Sequence, residues 1–251
     1  MKSDTFTRLA LKSNSGYGHR MIVSHQHKFI FIKTAKTGGT SIEAALSQIC
    51  GPEDIITPFR EDAEKDRRGR GPQNYRIEHP LKPKRPLWRK LLLRPERYYH
   101  ASVGFYEHIP AWRASTYLGE EIWNSYFKFA FDRNPWDRQV SWYLYKTKSK
   151  RARPSFERFM KGRGAFLGNH KLYTIDGTLA VDFVGRYENL EDDLARALKN
   201  VGIDQRLKVP RTNVTPNKDR SRDYRSYYSP ETKALVAAWY APEIALLGYG
   251  F

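Results

Sequence analysis

Three short stretches of this chain combine residue types that suit the binding of phosphate-like anions. The first is Thr34-Ala35-Lys36-Thr37-Gly38-Gly39-Thr40-Ser41. It follows the β-branched and aromatic run Lys28-Phe29-Ile30-Phe31-Ile32-Lys33 and precedes Ile42-Glu43-Ala44-Ala45-Leu46, whose apolar spacing suits a helix. A strand that ends in a glycine turn and opens a helix aims backbone N–H groups and the positive helix end at one point. Gly38 and Gly39 let the backbone approach an anion closely. Lys36 supplies a mobile positive charge, and Thr40 and Ser41 add hydroxyl donors. In the Walker pattern the lysine follows the second glycine, whereas here Lys36 precedes both, and no strand-end aspartate stands where magnesium would be held. That order weakens a kinase reading. A plain turn with a Thr40 or Ser41 cap is the simpler alternative for the loop.

The second stretch is Asp132-Arg133-Asn134-Pro135-Trp136-Asp137-Arg138, which follows Phe127-Lys128-Phe129-Ala130-Phe131. Asn134 suits a helix cap and Pro135 the first helical position, so the pattern predicts a second strand-to-helix junction. Ser141 lies eight residues after Arg133, about two turns into that helix. A guanidinium fork and a serine hydroxyl can face one phosphate there. The third stretch, Ala180 to Arg186, leads into a helical pattern from Leu190 to Val201 with Gly202 as its stop.

Strands alternating with helices predict an α/β fold, a single domain with a central, mostly parallel sheet flanked by helices. The length of 251 residues fits one such domain. Pro230 to Leu247 has helical periodicity and predicts one closing helix with Leu235, Trp239, Ile244 and Leu247 toward the core. Arg211 to Tyr228 is polar and basic and reads as a lid. From Pro52 to Arg97 charges and prolines crowd together, and Lys82 to Arg97 holds seven Lys/Arg against one acid, Glu96, which reads as an irregular basic insertion.

The chain has 44 Lys plus Arg against 27 Asp plus Glu, a formal charge of +17, with 40% hydrophobic residues. It is therefore a basic globular protein with an anionic partner, not a disordered tail. One cysteine, Cys50, excludes an internal disulfide, and no Cys/His cluster has zinc spacing, so no metal is expected. A reducing, cytoplasmic setting is the expectation, or a soluble catalytic domain if an anchor was removed. There is no apolar run of membrane-spanning length.

Taken together, Phe29 to Ser41, Lys128 to Arg138 with Ser141, Val184-Gly-Arg-Tyr-Glu-Asn-Leu190 and the ending Gly248-Tyr-Gly-Phe251 resemble the sulfotransferases that use 3′-phosphoadenosine 5′-phosphosulfate (PAPS), in particular the carbohydrate branch. The resemblance implies a P-loop-like sulfotransferase fold. It implies that Lys36, Thr37, Gly38, Gly39, Thr40 and Ser41 hold the 5′-phosphosulfate, and that Arg133 and Ser141 hold the 3′-phosphate. It also brings Arg186 and the segment from Asn213 through Lys218 to Arg222 near the nucleotide. Two departures stand out: Asp132 replaces the usual apolar residue before the arginine, and Ala35 replaces the usual proline before the lysine.

In that scheme sulfuryl passes in line to an acceptor hydroxyl, 3′-phosphoadenosine 5′-phosphate (PAP) is the product, and Lys36 stabilises the leaving oxygen. The acceptor needs a base. His100, in Tyr98-Tyr99-His100-Ala101-Ser102, resembles the family's histidine-containing segment, with Glu43, Glu53 or Asp54 as the alternative; the other histidines, His108 among them, lack such a context. The expected acceptor is a carbohydrate, with an acidic glycan favoured over a neutral or lipid-linked sugar and nucleic acid not expected as a partner. Tyr98, Tyr99, Trp112 and Trp142 are candidate sugar-stacking faces, and Tyr224 or Tyr227 could stack on adenine or anchor the final helix. Two other classes compete: a nucleotide or small-molecule kinase, and a non-catalytic polyanion-binding protein.

Overall fold

The computed structural model describes residues 21–59, 64, 67, 69–77, 104–106, 108–148, 151–162, 164–210 and 222–251. In chain order its elements are β1 (Ile22–Ser24), β2 (Phe29–Ile32), α1 (Gly39–Leu46), β3 (Ile55–Ile56), α2 (Ala111–Leu118), α3 (Glu120–Ser125), β4 (Phe127–Asp132) and α4 (Pro135–Thr147). They continue with α5 (Phe156–Met160), α6 (His170–Tyr173), β5 (Thr174–Ile175), β6 (Thr178–Leu179), β7 (Phe183–Arg186), α7 (Leu190–Lys199), α8 (Pro230–Trp239) and α9 (Ala241–Leu247).

The main sheet has the order β3-β1-β2-β4-β7. β2 pairs parallel with β4, and β4 with β7, while β1 is antiparallel to both β2 and β3. Four strands therefore share one direction and β1 opposes them, so the α/β architecture is as expected, with a mixed edge. Parallel pairing brings the carboxyl ends of β2, β4 and β7 side by side, with Ile32 opposite Ala130 and Asp132 opposite Arg186. Ligands of open α/β sheets bind outside those ends.

Strand alternation sorts the core. Phe29, Phe31, Phe129 and Phe131 pack on one face against Ile42, Ala45 and Leu46 of α1 and Leu194, Ala197 and Leu198 of α7. Ile30, Ile32 and Ala130 face the other way, against Ala114, Phe105, Ile109 and Tyr173. Both faces are covered, which is why these strands read as unbroken apolar runs. A third cluster, built on Trp136, Tyr143, Phe156, Val236 and Tyr240, joins α4 to the last helices.

Two expectations need correction. The stretch from Pro52 is not irregular from its start: Ile55–Ile56 forms the edge strand β3, and Asp54 accepts bonds from Ser24 Oγ, His25 N, Gln26 N and Gly51 N. A two-residue strand flanked by prolines and charges gives little periodicity to read. The closing helix is two helices, α8 and α9, with Tyr240 between them. Pro242 explains the break, because it lacks an N–H and its ring crowds the preceding turn. The residues that α8, α9 and their junction bury most completely are Thr232, Val236, Tyr240 and Glu243, while Leu235, Trp239, Ile244 and Leu247 pack at the periphery. The basic run from Lys82 to Arg97 lies outside the described residues, as does most of the expected lid.

Candidate active site

The loop between β2 and α1 is held by its own threonines and by a distant amide. Thr34 Oγ1 lies 2.8 Å from Thr37 Oγ1 and donates to the Phe131 carbonyl. Thr37 is buried, so its hydroxyl ties the loop inward and only its backbone can face a ligand. Gly38 caps α1 in the left-handed region (φ 73°), and the amides of Ser41 and Ile42 donate to its carbonyl at 2.8 and 3.1 Å. The amides of Gly39 and Thr40 come earlier, where a helix offers no internal acceptor. Beneath them the Lys33 ammonium lies 3.1 Å from Glu43 Oε2, both groups buried.

A Cβ at Gly38 would lie 3.1 Å from the ring of Tyr187 and would occupy a left-handed backbone. Gly38→Ala is thus expected to lower folding stability by about 1–2 kcal/mol, the usual cost of that conformation for an L-residue. Urea unfolding checks it. An unchanged midpoint would mean the loop can adopt another conformation.

Lys36 also has a positive φ, 65°, and its ammonium sits 4.3 Å from the Tyr145 ring centroid on α4. Left-handed backbone at a non-glycine residue is rare, and such positions gather at functional sites. Tyr145 stacks on Trp142 at 5.7 Å, and the Trp142 indole donates to the Gly164 carbonyl.

The Arg133 guanidinium joins the second stretch to the first. Its Nε and Nη2 donate to Asp137 Oδ2 at 2.8 and 2.5 Å, while Nη1 donates to the Lys36 carbonyl at 3.4 Å. Its face rests on Tyr187, 4.3 Å from the ring centroid. Tyr187 therefore lies against both Gly38 and Arg133, a position that nothing in its local sequence signals. Ser141 is buried on α4, two turns into the helix that Asn134 caps by accepting from Trp136 N at 3.1 Å. Glu188 closes this corner, accepting from Asn134 N at 2.7 Å and from the Tyr249 hydroxyl at 3.1 Å.

Arg186 engages the end of α9. Its Nη2 donates to the carbonyls of Leu247 and Gly248, and its guanidinium lies 4.9 Å from the Tyr249 ring centroid. It caps the end of α9, where carbonyls lack partners. Tyr227 packs against Tyr143 on α4 and Phe156 on α5, and Tyr224 against Phe251.

His100 lies outside the described residues, as do Tyr98, Tyr99, Asn213 and Lys218. Of the histidines in view, His108 stands at the loop: its Nδ1 is 3.1 Å from the Lys33 carbonyl. A carbonyl only accepts, so Nδ1 carries the proton and the basic lone pair of the ring is on Nε2. Glu43 and Asp54, weighed as alternative bases, are engaged with Lys33 and with the β1 turn.

Beside the site, Asp132 is wholly buried. Its Oδ1 accepts from Arg133 N at 2.8 Å, Asn169 Nδ2 at 3.3 Å and Arg138 Nη1, and its Oδ2 accepts from the Tyr173 hydroxyl at 3.0 Å. Arg138 Nη2 reaches Glu243 Oε1 at 3.2 Å. Burial alone would lower the Arg138 guanidinium, but Asp132, then Tyr240 and Glu243, outweigh it, so the group stays charged. Burial and then Asp132 push the Tyr173 phenol up, which keeps its proton in the bond. Among the described residues no group of three or more His, Cys, Asp or Glu is placed to hold a metal, and no helix is long and apolar enough to cross a membrane.

The glycine loop with Lys36 and the Arg133 corner stand at adjacent strand ends, and His108 is tied to the start of that loop. Residues 19–250 match the sequence model described as Sulfotransferase family, and the chain belongs to that family, whose chemistry is sulfuryl transfer. An uncharacterized protein of Archaeoglobus fulgidus is 38% identical over 106 residues, covering 40% of this chain and 88% of that protein. The crystal structure of a sulfotransferase from Alicyclobacillus acidocaldarius is 19% identical, covers 89% of this chain and 96% of its own, and superimposes with a TM-score of 0.42.

Proposed function

We propose that this enzyme moves the sulfuryl group of PAPS to a hydroxyl of a carbohydrate acceptor. The observation that carries the reading is the contact of Arg133 Nη1 with the Lys36 carbonyl. It sets a guanidinium against the glycine loop, so one nucleotide with phosphates at both ends can span the two cradles. The backbone of Thr37 to Ser41 serves the 5′ end and Arg133 with Ser141 the 3′ end. Arg186, engaged with the end of α9, acts by packing.

The acceptor oxygen attacks sulfur, the bond from sulfur to the 5′-phosphate oxygen breaks, and Lys36 stabilises the charge left on that oxygen. The proton of the acceptor passes to a base, which we assign to His108 Nε2 rather than to His100, because His108 is tied to the first residue of the loop. A carbohydrate fits the basic balance of the chain and its ring faces; the formal charge of +17 favours an acidic glycan.

Calorimetry with PAP tests the donor. Arg133→Ala is expected to weaken PAP by about tenfold or more, since a charge-assisted fork contributes about 1.5–3 kcal/mol. Lys36→Ala should weaken it less, because its charge matters most as the bond breaks. Absence of PAP binding, with magnesium-dependent ATP turnover instead, would return the kinase reading. Incubation with labelled PAPS and a panel of glycans identifies the acceptor.

A further inference from the structure

We propose that Asn169 is a positioning residue of the loop, and that through Asp132 it locks the two anion cradles into one register. Its carboxamide makes a two-point clamp on Ala35: Oδ1 accepts from Ala35 N at 2.9 Å, and Nδ2 donates to Ala35 O at 3.0 Å. The same Nδ2 lies 3.3 Å from Asp132 Oδ1. Asn169 is 1% exposed and Asp132 is 0% exposed, so neither group can exchange its partner for water. Ala35 immediately precedes Lys36, whose left-handed backbone sets where the ammonium and the following amides point. Proline at position 35 could not donate to Asn169, so the alanine there and the aspartate at 132 form one device. A proline would stiffen the turn through its ring; here an amide from the start of α6 does so from outside.

Asp132 then spans the pair. The carboxylate oxygen that receives Asn169 also receives the amide of Arg133 and the guanidinium of Arg138. A shift of the loop is therefore felt at the backbone of Arg133, and the reverse.

The test compares hydrogen exchange of the segment 33–41 in Asn169→Ala, Tyr173→Phe and the unaltered protein. Asn169→Ala removes both bonds to Ala35 and is expected to speed exchange of that segment about tenfold, with β1 and α7 unchanged. Tyr173→Phe strips one bond from the same carboxylate without touching the loop and should leave its exchange as it was. Asn169→Ser leaves a side chain too short to hold the two-point clamp and adds no charge beside Asp132, so it should reproduce the faster exchange if the alanine variant fails to fold. Calorimetry supplies a second readout, which alone rests on the donor reading. Asn169→Ala should raise the PAP Kd about tenfold at an unchanged stoichiometry. A merely structural role would instead lower the stoichiometry and leave Kd alone. Unaltered loop exchange in both Asn169 variants, or equal acceleration by Tyr173→Phe, would overturn the proposal. If the unaltered protein binds no PAP, the donor reading falls and loop exchange still decides this one.

Discussion

Arg138→Met is expected to lower folding stability by about 3–5 kcal/mol, because it leaves two buried carboxylates without the cation between them. Asp132 and Arg138 are both 0% exposed at their side chains, and Glu243 is 3% exposed. Methionine fills much of the volume, so the loss is electrostatic and not a cavity. Asp132 would retain Asn169, Tyr173 and the Arg133 amide, whereas Glu243 would lose its partner in a site closed to water. Glu243→Gln keeps a polar acceptor toward Arg138 and should lose less, about 1–3 kcal/mol. Urea denaturation of both variants measures this, and Glu243→Gln serves alone if the methionine variant does not fold. A loss below about 1 kcal/mol would mean that water reaches the triad.

His108→Asn is expected to lower kcat for sulfuryl transfer by about 10²–10⁴, the usual contribution of a positioned base, with little change in the affinity for PAP. Asparagine can still donate to the Lys33 carbonyl, as Nδ1 does in the native ring. It has no basic nitrogen to take a proton, so structure and chemistry separate in this variant. His100→Asn is the comparison and should stay close to the native rate. The opposite pattern, with His100→Asn inactive and His108→Asn active, would move the base to His100.

The aromatic ring system around the site extends the same logic. Lys36 over Tyr145 and Arg133 over Tyr187 place each cation on a ring face, and such contacts are stronger where water is excluded. Neither ring belongs to the motif that supplies its cation. The rings thereby fix the two cations at the ends of the sheet.

Local order along the chain sufficed to read the elements that meet at the strand ends. Apolar runs marked β2 and β4, glycines and a lysine marked the loop, and Asn134-Pro135 marked the start of α4, because turn, cap and strand preferences act over a few residues. The same locality explains the losses. β3 is too short to show a period, and the helical periodicity around Pro242 continues across the break. Asp132 was seen only as a departure from pattern, since nothing near it in sequence says that its carboxylate will be buried. Asn169 lies 134 positions from Ala35, and Glu243 lies 105 from Arg138. No periodicity or spacing rule spans such gaps. His108 reads as an ordinary surface histidine until the fold sets it against Lys33. The strands, turns and cap that place these side chains at the ends of the sheet were therefore legible from the chain alone. Which carboxylate, amide and ring hold them in place was decided by the packing of distant elements, because the partner of a buried polar group is chosen by what the fold brings within about 3 Å of it.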